Sequence, residues 1–339
     1  MFSLMACRSL VRSLAVAALL AVAPAGSSAF VHAQSATPGA GFPLTVTDDA
    51  GISTTFSAPP RRIVSLSPGL TEITFALGHG DQLVAVDTFS DFPDAAKALQ
   101  PRLNTYPSPS VESIVDLQPD LVLSLAEKDD DLAQIRAQGI PVLKLFPRDF
   151  DAAVGAIQTL GQVYGSPDAG NAIASDMLSR RDAVAAAVAG APRPRVYEEL
   201  DASDPDKPFA AGPNGFYGQL IDLAGGTNIF DDLPGDNGQV GAETIVARDP
   251  EVIILTDTDL PFNPQTPATV AARPGWSSIS AVNTGAIYPV PGDLYSTPGP
   301  RLVQGLEQLA KILHPDRFAA TSGDRDQVMA SVPAAKLRR

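Results

Sequence analysis

Residues 112–123 read Glu-Ser-Ile-Val-Asp-Leu-Gln-Pro-Asp-Leu-Val-Leu, and residues 243–254 read Glu-Thr-Ile-Val-Ala-Arg-Asp-Pro-Glu-Val-Ile-Ile. Seven positions separate the glutamate from the proline in both, and the two stretches lie 131 residues apart. In each, a proline that disfavours helical backbone in the residue before it ends a short helical pattern, and an apolar run of strand length follows. The identities at Glu, Ile, Val and Pro predict one helix–strand unit used once in each half of the chain, hence a pseudo-duplicated, two-lobed architecture. Glu112 and Glu243 then stand near the starts of equivalent helices, where a carboxylate is favoured by the helix dipole.

Outward from the first copy the chain repeats strand, turn and helix. Ile63–Leu66 is an apolar run, and Ser67-Pro68 supplies an N-cap with a proline at the first helical position. Leu70, Ile73 and Leu77 share one helical face, and Gly78 follows as a C-cap. Strands are expected at Leu83–Val86, Leu121–Leu125 and Pro141–Leu145, with helices opening at Ser108-Pro109 and covering Leu132–Gln138. Such alternation predicts an α/β fold, with mostly parallel sheets covered by helices. From Phe150 to Gly190 the chain is Ala-rich without a strand-like run and breaks at Gly165-Ser166-Pro167. The stretch from Asp168 to Ala189 offers about 22 residues of good helix formers, roughly 33 Å of helix, which suits a rigid connector between two lobes. Val196 begins a second α/β series.

The N-terminus reads as a cleaved secretory leader. Arg8 and Arg12 precede an apolar run from Leu14 to Ala23, and Val31-His32-Ala33 meets the small-x-small rule for cleavage. The apolar run, interrupted by Pro24, is too short to span a bilayer. The expected organisation is a signal peptide over 1–33, an N-terminal extension over 34–60, a first lobe over 61–165 and a connecting helix over 166–191. A second lobe over 192–320 and a tail over 321–339 complete the chain.

Composition excludes several functions. With 24 Lys+Arg against 38 Asp+Glu the formal charge is −14, the wrong sign for a nucleic-acid-binding surface. One cysteine, Cys7, lies in the leader, and two histidines, His79 and His314, remain beyond it, so a disulfide framework or a zinc array is excluded. There is no phosphate loop, dinucleotide fingerprint, His-Glu-x-x-His or nucleophile elbow. Asp129-Asp130-Asp131 lacks the spaced ligands and glycine of a calcium loop and reads as a solvated helix start.

Five further stretches carry a resemblance: Arg62 to Glu72 (Arg-Ile-Val-Ser-Leu-Ser-Pro-Gly-Leu-Thr-Glu), Ser90-Asp-Phe-Pro93, Pro119-Asp-Leu-Val-Leu123, Phe216 to Phe230, and Pro298-Gly-Pro-Arg301. In order and spacing, from about Arg61 to Phe318, they resemble the substrate-binding proteins of ABC importers for cobalamin, ferric siderophores and haem. The resemblance implies two Rossmann-like lobes joined by a backbone helix, with the ligand in the cleft between them. It implies permease docking through one exposed glutamate per lobe, at Glu112 and Glu243, with Glu72 as a competing first-lobe candidate. Residue-by-residue matching to the cobalamin branch places Phe89, Tyr106 and Phe209 on the cleft, with Asp293 and Tyr295 facing them. Asn237 stands where that branch carries a tryptophan, and Arg301 is a further candidate contact for an anionic siderophore. The expected protein is a monomeric, extracytoplasmic solute-binding component, periplasmic or at the cell surface of a single-membrane organism. It would have no intrinsic cofactor or metal and no nucleic-acid partner, and would deliver a corrinoid, ferric siderophore or haem to an ABC permease and its ATPase. An extracytoplasmic α/β enzyme using carboxylates such as Asp91 or Asp293 is the alternative, against which the missing catalytic motifs argue.

Overall fold

Successive residues of a strand face opposite sides of its sheet, so an uninterrupted apolar run is stable only where both sides are covered. Ile63, Leu121 and Leu123 point into one core and Val64 and Val122 into another, all fully buried. The second lobe repeats the division, with Val196 and Ile254 on one face and Tyr197 and Ile253 on the other. The computed structural model describes residues 41–106, 108–125, 130–258 and 263–318. The expected leader at 1–33 and tail at 321–339 lie outside the described residues.

The first-lobe sheet is wholly parallel. Its order is Arg102–Leu103, Leu83–Asp87, Ile63–Ser65, Leu121–Ser124, Val142–Lys144, so the direction of winding reverses beside Ile63–Ser65. Helix Pro68–Ala76 begins where Ser67-Pro68 places it, buries Leu70 and Ile73 and is followed by Gly78 at φ 83°. The next helix starts later than expected, at Val111. Ser110, not Ser108, is its N-cap and accepts from the Ser113 N–H at 3.2 Å. The extension holds an unforeseen antiparallel hairpin, Leu44–Thr47 with Ser53–Phe56. Its turn is fixed by buried Asp48, whose Oδ1 accepts from the Ala50 and Ile52 N–H groups and whose Oδ2 accepts from Arg136 Nη2 at 2.8 Å.

In the second lobe Arg195–Asp201, Val252–Leu255 and Ile287–Pro289 are parallel neighbours. The sheet is nevertheless mixed. Phe209–Ala211 and Asn237–Gln239 add antiparallel strands at one side, and Thr227–Asn228 pairs parallel with Arg195–Asp201. The two quoted repeats occupy equivalent places. Gln118 and Asp249 both adopt left-handed backbone, at φ 47° and 43°, immediately before Pro119 and Pro250, and each following strand lies beside the first strand of its lobe.

A single helix, Pro167–Val188, joins the lobes, against a helix-forming stretch read from the sequence as Asp168 to Ala189. It lies against helix Phe150–Val163 of the first lobe so closely that a Cβ on Gly161 would sit 3.0 Å from the Gly170 Cα. Arg181 pairs with Asp151 of that helix, and Arg180 makes a two-pronged bond to Glu307 of second-lobe helix Leu302–Leu313, at 2.8 Å for each prong. Packing and ion pairs therefore anchor the connector on both sides. No helix among the described residues is long and apolar enough to cross a membrane.

Candidate functional site

In open α/β sheets ligand sites form at the carboxyl ends of the strands, where the winding order reverses. Adjacent strands Leu83–Asp87 and Arg102–Leu103 end at this edge of the first lobe, and the loops that follow carry Phe89 and Tyr106. Phe89 is 62% exposed and Tyr106 is 77% exposed. Strand Arg195–Asp201 ends at the corresponding edge of the second lobe, where Asp201 pairs with Phe209, itself 38% exposed. Three large aromatics are thus displayed at the carboxyl edges of both sheets. Isolated exposed apolar groups are ordinary, but exposed aromatics at the carboxyl edges of both sheets are candidates for a contact surface.

The loop bearing Phe89 is held from below. Buried Asp87 accepts a short hydrogen bond from the Ser90 hydroxyl, which also meets Thr71 Oγ1 at 2.8 Å. Thr71 in turn donates to Ser65 at 2.9 Å. Burial raises the Asp87 carboxyl, with the Ser90 hydroxyl acting against it. Arg102 closes the loop from the side, its Nη2 donating to the Thr88 and Ser90 carbonyls at 3.0 and 3.2 Å and to Asp91 at 2.9 Å. Asp91, one carboxylate of the enzyme alternative, is thereby engaged in holding the loop.

Second-lobe expectations divide. Asp293 is exposed at the start of helix Asp293–Ser296, beyond the carboxyl end of Ile287–Pro289. Tyr295, two residues on, is fully buried among the core side chains and its hydroxyl lies 3.5 Å from Gln308. Its ring completes the core and does not line a cleft, which corrects the expectation for this residue. Asn237 is exposed on the outer strand, but its register partner is Ala211, whereas Gln239 faces Phe209. It is thus displaced from the aromatic edge.

Arg301 is engaged by a first-lobe carboxylate. Its backbone N–H donates to Glu72 Oε1 at 3.0 Å and its Nε to Glu72 Oε2 at 2.9 Å, while the guanidinium lies 3.7 Å over the Phe92 ring. Glu72 belongs to first-lobe helix Pro68–Ala76 and is only 3% exposed, so the pair ties the lobes together. Burial rules Glu72 out as an exposed docking glutamate and makes Arg301 first an inter-lobe strut. Close packing surrounds it: a Cβ on Gly69 would meet the Pro298 carbonyl at 3.1 Å, and one on Gly299 would meet the Glu72 carboxyl at 3.1 Å. Desolvation raises the Glu72 carboxyl despite the opposing pull of Arg301. Arg301→Gln strands this carboxylate and is expected to cost about 3–5 kcal/mol at pH 8. The cost should shrink as the pH is lowered, since burial favours the protonated form of Glu72, and urea unfolding at pH 8 and pH 5 measures both. An equal cost at both would contradict the pairing. No periodic signal in the sequence links two residues 229 positions apart.

Glu112 and Glu243 each occupy the second position of their helices, Val111–Asp116 and Ala242–Arg248. Both are exposed, and each is followed two residues later by a fully buried isoleucine, Ile114 or Ile245. A groove of about 710 Å³ elsewhere, lined by Asp149, Arg181, Arg193, Gln219, Asp222 and Thr227, contains none of the expected contacts, and its two arginines are committed to Asp151 and Asp222. Among the described residues no group of three or more His, Cys, Asp or Glu is placed to hold a metal ion.

A family model described as periplasmic binding protein matches residues 63–294. An uncharacterized ABC transporter substrate-binding lipoprotein of Bacillus subtilis is 31% identical over 287 residues, covering 82% of this chain and 87% of that protein. A cobalamin-binding protein of Halobacterium salinarum is 30% identical over 280 residues, covering 80% of this chain and 74% of its own. Among solved structures, a periplasmic heme-binding protein from Roseiflexus superposes with a TM-score of 0.68 at 28% identity, over 76% of this chain and 99% of that one.

Proposed function

Since the chain belongs to the periplasmic binding protein family, we propose that it is the extracytoplasmic solute-binding component of an ABC importer and that its cargo is a metal chelate: a corrinoid such as cobalamin, a ferric siderophore or haem. The display of Phe89, Tyr106 and Phe209 at the carboxyl edges of the two sheets carries this reading. Flat aromatic faces suit a large, partly apolar macrocycle or chelate, and each ring gains the burial that it lacks in the free protein, roughly 1.5–3 kcal/mol for a fully covered side chain. Asp293 is the polar contact proposed from the second lobe. Arg301 is positioned to offer its terminal N–H groups, since only its Nε and backbone N–H are used by Glu72 among the described residues. Asn237 is proposed only as a peripheral contact.

The ABC transporter substrate-binding lipoprotein and the periplasmic heme-binding protein to which the chain is similar support this role, in the periplasm or at the outer face of a single membrane, with a permease and its ATPase as partners. Capture followed by delivery requires no chemistry on the cargo. Titration with cyanocobalamin, haemin and a ferric trihydroxamate tests the reading. One of them is expected to bind, with affinity falling about tenfold or more in Phe89→Ala and Tyr106→Ala. Binding that ignores both substitutions would place the cargo elsewhere.

A further inference from the structure

The charges around these aromatics are not neutral. Both guanidinium groups placed next to the Phe89 to Phe92 loop already have a carboxylate: Arg102 pairs with Asp91 at 2.9 Å, and Arg301 pairs with Glu72 at 2.9 Å. Asp293 is exposed, forms no ion pair with any described residue, and lies close enough to Glu72 for its charge to oppose ionisation there. The turn leading into Phe209 carries Asp201, Asp204 and Asp206 against Lys207 alone, and none of the four has an ion-pair partner among the described residues. Exposed Arg148, at the far strand of the first sheet, stacks at 4.7 Å on Phe146 and lines a different groove with Asp49 and Lys144. The aromatic edge therefore has two compensated arginines and one unpaired lysine against four unpaired acids, Asp293, Asp201, Asp204 and Asp206, within a chain of formal charge −14.

Resting on the cargo reading above, we infer that the site selects chelates by charge, taking those with no net negative charge and rejecting anionic ones, with Asp293 as the specificity-determining residue. An anionic chelate meets the unpaired carboxylates, while the charges of Arg102 and Arg301 are already balanced by Asp91 and Glu72. A neutral chelate meets the aromatic faces without that opposition. Discrimination by mismatched charge of this kind is a repulsive element built into a site. It weakens with ionic strength because the carboxylates are exposed.

Isothermal titration at low and high salt tests this with four probes: cyanocobalamin and a ferric trihydroxamate, which carry no net charge, and haemin and a ferric tricatecholate, which are anions. One of the neutral probes is expected to bind at least about tenfold tighter than either anion at low salt, with the gap narrowing at high salt. Asp293→Asn, which keeps a polar group and removes its charge, is expected to raise the ratio of anion to neutral-probe affinity about three- to tenfold. An anion that binds wild type tighter than both neutral probes would overturn the inference while leaving the cargo reading intact. An unchanged ratio in Asp293→Asn would overturn the role of that residue. Failure of all four probes to bind would overturn the cargo reading, and the inference with it.

Discussion

Reversing two charges, Glu112→Lys together with Glu243→Lys, is expected to abolish cellular uptake of the cargo while its affinity for the isolated protein stays within about twofold. Both side chains are exposed and neither has an ion-pair partner among the described residues, so their replacement should cost little beyond the helix-dipole contribution, about 0.3–1 kcal/mol at each site. What they share is place. Each stands at the second position of its helix, two residues before a buried isoleucine, in units whose strands occupy matching positions in the two sheets. Two like charges carried on separate lobes give a partner two points of registration. The connector, fixed to both lobes by Arg181–Asp151 and Arg180–Glu307, holds those points at a set separation. Removing one partner of a close interfacial charge pair costs about 2–5 kcal/mol, and reversal adds repulsion, so the double variant should lose more than about a thousandfold in productive docking. Each single reversal should fall between. Normal uptake by the double variant, or loss of cargo affinity, would contradict the docking role.

The second large effect concerns stability. Glu198 lies on the central strand Arg195–Asp201 with both carboxylate oxygens buried and without a hydrogen-bond partner among the described residues, and burial pushes its carboxyl up to about 8. A buried carboxylate without a partner is costly, so the folded protein holds the group protonated. The unfolded chain releases that proton near 4.5. Between those values the folded state binds the extra proton, and stability falls as pH rises, by about 1.4 kcal/mol per pH unit. From pH 5 to pH 8 the loss should approach 4 kcal/mol. Below 4.5 both states hold the proton and the contribution levels off. Glu72, Asp87 and Asp257 are also raised by burial and add in the same direction. Glu198→Gln, neutral throughout, is expected to remove the share of the slope that Glu198 contributes and to make the protein more stable than wild type at pH 8. Urea midpoints across this range measure it, and parallel curves for the two proteins would show that Glu198 is charged or solvated in the fold.

Much of this architecture is legible in local pattern. The repeated Glu-to-Pro unit, the apolar runs at Ile63 and Leu121 and the long helix-forming stretch ending in Pro192-Arg193-Pro194 each state their structure within about twenty residues. Strands as short and polar as Asn237-Gly-Gln239, or as Phe209-Ala-Ala211, give no two-residue alternation long enough to read, so the antiparallel side of the second sheet emerges only from pairing. Exposure was legible where it follows from a loop, as at Phe89 and Tyr106. It was not legible at Tyr295, where a single turn of helix sends a tyrosine inward from exposed Asp293. Nor does any local rule show that Arg301 is taken by Glu72 or that Glu199 is taken by Arg273. The latter pair is a buried bridge with prongs of 2.6 and 2.8 Å, beneath which Tyr197 donates to Glu199 at 2.9 Å. Such pairs are set by the meeting of elements far apart in the chain, and they decide which charges remain available to a ligand.

Capture without chemistry is tested most directly by native mass spectrometry of the protein mixed with cyanocobalamin, a ferric trihydroxamate and haemin, followed by release and weighing of the bound molecule. The account predicts one complex of one protein with one chelate, its metal retained and the released ligand unchanged in mass. A protein that binds none of them, or that returns a cleaved or demetallated ligand, would contradict it.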